Sequence, residues 1–122
     1  MFILRKILNG RINVSEPLHL KTSATAALAG GTAVCYDSTG KLVAATGDSV
    51  AEYVVLQDVP SGSTVVPVIL ITSDMIFETD DVSGSAIGKK YQLSGGTTFT
   101  TTAGTAVTVI DKGEGHAIVR LA

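Results

Sequence analysis

The sequence predicts an all-β fold: a small single-domain β-sandwich or partial barrel with an extended N-terminal arm. Three observations predict it. Apolar and polar residues alternate with period two along several short runs. Turn-forming clusters of Gly, Asp, Ser and Pro return about every ten residues. Thirteen glycines with abundant Thr and Val suit strands and tight turns, and leave almost no helical stretch. The 122 residues make one domain, and 45% hydrophobic against 16% charged residues supply ample material for a core.

Residues 1–14 read as the arm, extended or flexible and outside the compact body, and 15–122 as the β-rich domain. Asn9-Gly10 breaks the arm, and Ser15-Glu16-Pro17 separates it from the domain. Leu18, Leu20 and Thr22 then alternate with His19 and Lys21, as in a half-buried strand. Residues 22–29 read as a short helical turn or a loop, closed by Gly30-Gly31. Residues 32–36 and 41–45 form a hairpin about Asp37-Ser38-Thr39-Gly40, where Asp and Ser bond back to the main chain and Gly40 takes positive φ. Thr46-Gly47-Asp48 leads to a strand at 53–56, and Pro60-Ser61-Gly62-Ser63 turns the chain again. Residues 64–72 are the most apolar run. Pro67 removes one ladder donor there, which places the strand at an edge, at a bulge or at a change of sheet. Residues 75–79 are a strand, 89–93 and 97–102 pair across Ser94-Gly95-Gly96, and 105–110 pair with 117–121 through Lys112-Gly113-Glu114-Gly115.

Charge and residue usage argue against several classes of function. Nine Lys and Arg against eleven Asp and Glu give a net charge of −2, the wrong sign for phosphate contacts, so no direct nucleic-acid partner is expected. No run approaches the ~18 apolar residues of a membrane span. Residues 1–8 are too short and too interrupted by charge for an export signal, so a cytoplasmic origin without a membrane partner is expected. Cys35 stands alone, with no base near it in sequence, and reads as a small apolar residue. His19 and His116 lack a second ligand at metal spacing, though Glu114 and His116 share a parity beside a turn. Asp74, Glu78, Asp80 and Asp81 crowd about Met75-Ile76-Phe77 without the Gly-centred spacing of a calcium loop. In Gly84-Ser85-Ala86-Ile87-Gly88-Lys89-Lys90 the spacing is one residue short for a phosphate loop, and Lys90 stands where Ser or Thr belongs. The expectation is a protein that is not an enzyme and uses no cofactor and no metal.

Partner binding is expected in the arm. Apolar residues and cations interleave in Ile3, Leu4, Arg5, Lys6, Ile7, Leu8 and Arg11, with Ile12 and Val14 beyond. Residues 1–21 hold Arg5, Lys6, Arg11 and Lys21 against Glu16 alone, a basic segment ahead of an acidic body. Extended segments of this kind pair with a sheet edge on another chain, gaining main-chain hydrogen bonds and pockets for alternate side chains. Those seven residues are the candidate contacts.

The run Gly31-Thr32-Ala33-Val34-Cys35-Tyr36-Asp37-Ser38-Thr39-Gly40-Lys41-Leu42-Val43-Ala44-Ala45 resembles the capsid decoration, or cement, proteins of tailed bacteriophages, the lambda head decoration family. The strand Glu52-Tyr53-Val54-Val55-Leu56-Gln57-Asp58, the passage from Val66-Pro67-Val68-Ile69 to Met75-Ile76-Phe77-Glu78, and the closing Ile118-Val119-Arg120-Leu121 continue the likeness. The apolar and basic start departs from the polar, Pro/Gly-rich arm of that family. The resemblance implies a β-tulip-like module without catalytic residues. It would sit as a homotrimer on the outer surface of the virion, bound to the major capsid protein and bracing the shell against internal DNA pressure. The alternative is a tail- or fibre-associated module that recognises a receptor or glycan, against which the absence of Trp and the scarcity of Tyr count.

Overall fold

Alternation and turns resolve into eleven strands in the computed structural model, which describes residues 1–7 and 17–121. They are β1 (Ile3–Ile7), β2 (Leu18–Leu20), β3 (Ala33–Tyr36), β4 (Leu42–Ala44), β5 (Tyr53–Val55), β6 (Val66–Leu70), β7 (Met75–Asp80), β8 (Lys90–Ser94), β9 (Thr98–Ala103), β10 (Val107–Gly113) and β11 (His116–Arg120). There is no helix among the described residues. Two antiparallel sheets result, one of six strands in the order β1-β7-β11-β10-β8-β9 and one of five in the order β2-β6-β5-β3-β4. They do not close into a barrel. Of the two architectures expected, the sandwich is the one formed.

The main core lies between the sheets. Phe77, Phe99, Leu93, Val107 and Val119 enter it from the six-stranded sheet, and Ala33, Val54 and Ile69 from the other. Alternation along β7 and β11, and along β10 as far as a register shift between Val109 and Asp111, leaves the second face of the six-stranded sheet to polar and half-exposed residues. The five-stranded sheet is covered by the main core on one face and over part of the other by loops. Val34, Leu42, Val55, Val66 and Val68 point away from the main core and pack under Ala24, Leu28 and Val59 of the connecting loops. Burial on both faces is why this part of the sequence carries continuous rather than alternating apolar runs. The covering segment 22–29 takes the loop alternative, tied by single bridges from Ala24 to Leu42 and from Leu28 to Val59.

The Asp37 turn forms as its residues dictate. Asp37 Oδ1 accepts hydrogen bonds from the Thr39 N–H at 2.8 Å, the Thr39 hydroxyl at 2.7 Å and the Lys41 N–H at 3.0 Å. Those bonds, the Thr39 hydroxyl first, hold its carboxyl below the ordinary aspartate range. Gly40 takes φ of 81°, where a side chain would be strained.

Pro67 behaves differently from expectation. β6 lies inside its sheet, between β2 and β5, with no register shift against either neighbour. The reason is local. The Pro67 carbonyl accepts the Leu56 N–H at 3.0 Å, so the donor it lacks would face Leu56 too, one residue past the end of β5. Proline therefore falls at the last rung of that ladder, where a single missing bond is tolerated.

The first residues also depart from the expected arrangement. Residues 1–7 are not an arm outside the body: β1 pairs with β7, through Ile3 with Glu78 and Leu4 with Phe77, and Phe2 is 2% exposed in the main core. Phe2 and Leu4 point inward while Ile3 and Arg5 point out, so the strand satisfies its apolar side on its own domain. Residues 8–14 of the expected arm lie outside the described residues.

Candidate partner-binding site

Of the seven candidate residues, Ile3, Leu4, Arg5, Lys6 and Ile7 form β1, while Leu8 and Arg11 lie outside the described residues. β1 is the end strand of its sheet. One edge is paired with β7, and the other meets no described strand. Such an edge presents main-chain donors and acceptors in a row. Ile3, 52% exposed, stands on the outer face. Leu4 packs against the main core.

A register shift between Leu4 and Lys6 makes Arg5 the extra residue of a bulge. From there Arg5 reaches Glu78 on β7, donating Nε at 3.0 Å and Nη2 to Oε2. The second carboxylate oxygen lies 3.7 Å from His116 Nε2 on β11. His116 itself is seated by its Nδ1, 3.2 Å from the Glu114 carbonyl, with its ring over Gly113, where any Cβ would collide with it. The hydrogen bond from Arg5, then the positive charges of Arg5 and His116, outweigh partial burial and hold the Glu78 carboxyl below its ordinary value of 4.5. The pair is exposed and screened by solvent, so it fastens the strand only lightly.

Stability should depend on pH through this pair. A carboxylate whose value is lowered by folding adds its stability in full above its ordinary value, and loses it as pH falls through the lowered one. Glu78→Gln is therefore expected to lower the melting temperature at neutral pH, with the gap to the parent closing as pH drops below about 4. Thermal melts of both proteins across that range check it. A gap that persists at pH 2 would mean that packing, not charge, is what the substitution removes.

Below the open edge of β1, an apolar groove of about 370 Å³ runs between the two sheets. Phe2, Leu4, Gly31, Leu56 and Ile69 contribute to its walls, and Leu56 is 45% exposed at its rim. Main-chain bonds from Phe2 N–H to the Gly31 carbonyl at 2.8 Å and from Gly31 N–H to the Val55 carbonyl at 2.7 Å fix this end of β1 against the second sheet. Sequence patterning alone does not bring Leu56, Glu78 and His116 to this site. Their outward positions on strands are legible from alternation, but their closeness to β1 depends on strand order.

On the outer face of the five-stranded sheet, Tyr36 is 39% exposed, its ring edge-on to Tyr53 at 5.7 Å between centroids. Their hydroxyls share a hydrogen bond at 3.3 Å, which with burial and the nearby Glu52 carboxylate pushes Tyr53 up to about 12. Leu70 lies opposite Tyr53 on β6. The Cys35 thiol on β3 is pushed up by burial, then by the Glu52 and Asp37 carboxylates, which disfavours the thiolate a nucleophile needs. Asp81 is engaged by the Ser85 hydroxyl and by Lys112, and His19 lies on the edge strand β2. No three His, Cys, Asp or Glu side chains are gathered at metal-binding distance among the described residues. No protein-family model matches the chain, and neither does any curated protein.

Proposed function

We propose that this protein is a structural component of a tailed-phage virion. It binds the major capsid protein on the outer surface of the shell, as a homotrimer there, and braces the shell against the pressure of packaged DNA. The observation that supports the reading is the open edge of β1 lying above an apolar groove. An extended segment of a shell subunit can add to that edge and lodge alternate side chains in the groove. Ile3 and Leu56 are the side chains placed to meet it, each adding up to roughly 1.5–3 kcal/mol when fully buried. Many equivalent sites on a shell raise the effective affinity further.

The test is co-sedimentation with shells assembled from the capsid protein encoded alongside this chain. Side-chain changes are needed rather than removal of residues 1–14, which would take Phe2 out of the core. Ile3→Asp and Leu56→Asp are expected to weaken shell binding by at least about tenfold each, with folding retained because both positions are exposed. A parent protein that never co-sediments with shells overturns the reading.

Tyr36 gives the alternative, a receptor- or glycan-binding module, one specific support: an exposed aromatic ring beside Asp37 and Glu52 can stack on a sugar face while carboxylates take its hydroxyls. Binding to a glycan panel that disappears in Tyr36→Ala would favour that reading.

A further inference from the structure

The loops that cover the outer face of the five-stranded sheet leave a strip of it bare. Tyr36 on β3, Tyr53 on β5, Leu70 on β6 and Leu18 on β2 follow one another across four neighbouring strands. Tyr53 lies opposite Val34 and Leu70, and Leu18 lies opposite Val68, two residues along β6 from Leu70. Parity and register turn all four outward, to the side where Val34, Val55, Val66 and Val68 pack under the loops. Tyr36, Leu70 and Leu18 are exposed, and Tyr53 is half-buried between them. Three strand spacings of about 4.8 Å make the strip about 14 Å long.

At the Tyr36 end the strip meets negative charge. Alternation with Tyr53 starts Glu52 on the Cys35 side of the sheet, but its carboxylate reaches the rim, where Oε2 accepts the Tyr36 N–H at 3.3 Å. Asp37 follows Tyr36 in the turn, with its bonds all made through Oδ1. Burial and then these two carboxylates push the Cys35 thiol up, and Glu52 adds to the hydrogen bond and burial that raise Tyr53. The negative field therefore reaches both faces. Residues 36–53 hold Asp37, Asp48 and Glu52 against Lys41 alone. Neither Glu52 nor Lys41 makes an ion pair among the described residues. The main-chain donors of Tyr36, Thr39 and Lys41 are already spent on the carboxylates, and the two tyrosine hydroxyls bond each other. What remains beside the ring is a set of acceptor oxygens.

We infer that this strip binds an extended segment of a partner protein, one that carries an arginine and, at alternate positions beyond it, apolar side chains. The guanidinium lies on the Tyr36 ring and reaches the Glu52 carboxylate at the rim, a donor-only group set against a ring face and acceptors. Arginine suits this end better than lysine, because its plane stacks on the ring while its N–H groups point sideways to the carboxylate. Side chains on one side of an extended chain recur about every 6.8 Å. The next two therefore fall between Tyr53 and Leu70 and at Leu18, about 7 and 14 Å from the arginine. A sugar, whose hydroxyls bring acceptors as well as donors, is met less fully. The strip lies on the other sheet from β1, so this contact does not depend on binding to a shell.

The experiment is a nuclear magnetic resonance titration of the full chain with the peptide acetyl-Arg-Ser-Leu-Ser-Leu-amide and with its reversed sequence. Amide signals of Tyr36, Glu52, Tyr53 and Leu70 are expected to shift with at least one of the two, and less at high salt. Citrulline in place of arginine keeps the shape, removes the charge and adds an acceptor, and is expected to weaken binding at least about tenfold. Tyr36→Ala and Glu52→Gln are expected to do the same with folding retained, because both residues are exposed. Should Tyr36→Ala fail to fold, Tyr36→Leu takes its place, keeping bulk and losing the ring face. Ile3→Asp, which removes the β1 contact, is expected to bind the peptides as the parent does, so the two surfaces hold or fail separately. No shift at ~10 mM peptide, equal binding of the citrulline form, indifference to Glu52→Gln, or shifts with an N-acetylglucosamine oligomer and not with the peptides overturns the inference.

Discussion

Phe2→Ala is expected to destabilise the fold by about 3–5 kcal/mol, among the largest effects a single substitution can have here. The ring is among the largest fully buried side chains, packed with Phe77, Phe99 and Ile69 between the sheets. Its removal leaves a cavity that the surrounding strands cannot close, because Phe2 N–H and Gly31 N–H anchor the backbone on both sides of it. The loss falls on β1 in particular, which has one paired neighbour among the described residues. Denaturant melts should show a lower midpoint, and hydrogen exchange should show β1 and β7 opening first. A loss under about 1 kcal/mol would mean that β1 does not belong to the core.

Gly96→Ala is expected to be about as damaging, for a different reason. Gly96 takes φ of 72°, and a Cβ there would lie 2.4 Å from the Ala33 carbonyl oxygen and 2.8 Å from Thr32 Cγ2. The obstruction is main chain and cannot swing aside. The Gly96 carbonyl also accepts the Ala33 N–H at 2.7 Å, so this turn is where the β8–β9 hairpin is bonded to the other sheet. Positive φ adds about 1 kcal/mol and overpacking about 1–3 kcal/mol. Gly95→Ala is the control: it shares the positive φ, at 59°, but meets nothing within 4 Å, so it should show the backbone part alone. Equal losses at the two positions would remove the steric argument.

Local chemistry was legible in the sequence, and pairing across long distances was not. Asp37-Ser38-Thr39-Gly40 announces its own turn, because every bond that makes it lies within four residues. The alternation of Phe2 and Leu4 with Ile3 and Arg5 is equally plain, but nothing in it says whose sheet the strand joins. The answer lies at Glu78, 73 residues away from Arg5. Pro67 misleads in the opposite sense. Proline favours an edge when nothing else is known, yet here the ladder ends at Leu56 just where its donor is missing. The same limit applies to the candidate site. The residues of β1 are visible as an interleaved apolar and basic run, whereas the groove below them needs Leu56 and Ile69 from a different sheet. Glu78, one of an acidic group in the sequence, holds the edge strand in the fold.

The position of β11 sets the order in which this protein can be completed as it is made. β11 is the last of the described strands in chain order, yet it lies between β7 and β10 inside the six-stranded sheet. Until residues 116–120 leave the ribosome, β1 with β7 on one side and β10 with β8 and β9 on the other remain two fragments, each with an exposed edge facing the other. The five-stranded sheet, drawn wholly from residues 18–70, can pair much earlier. From about residue 70 until β11 is made, a nascent chain is thus half assembled, and that strand closes the other half at once. Such late, long-range closure is slow. It also leaves any chain stopped before residue 116 with two raw strand edges open to pairing with its neighbours.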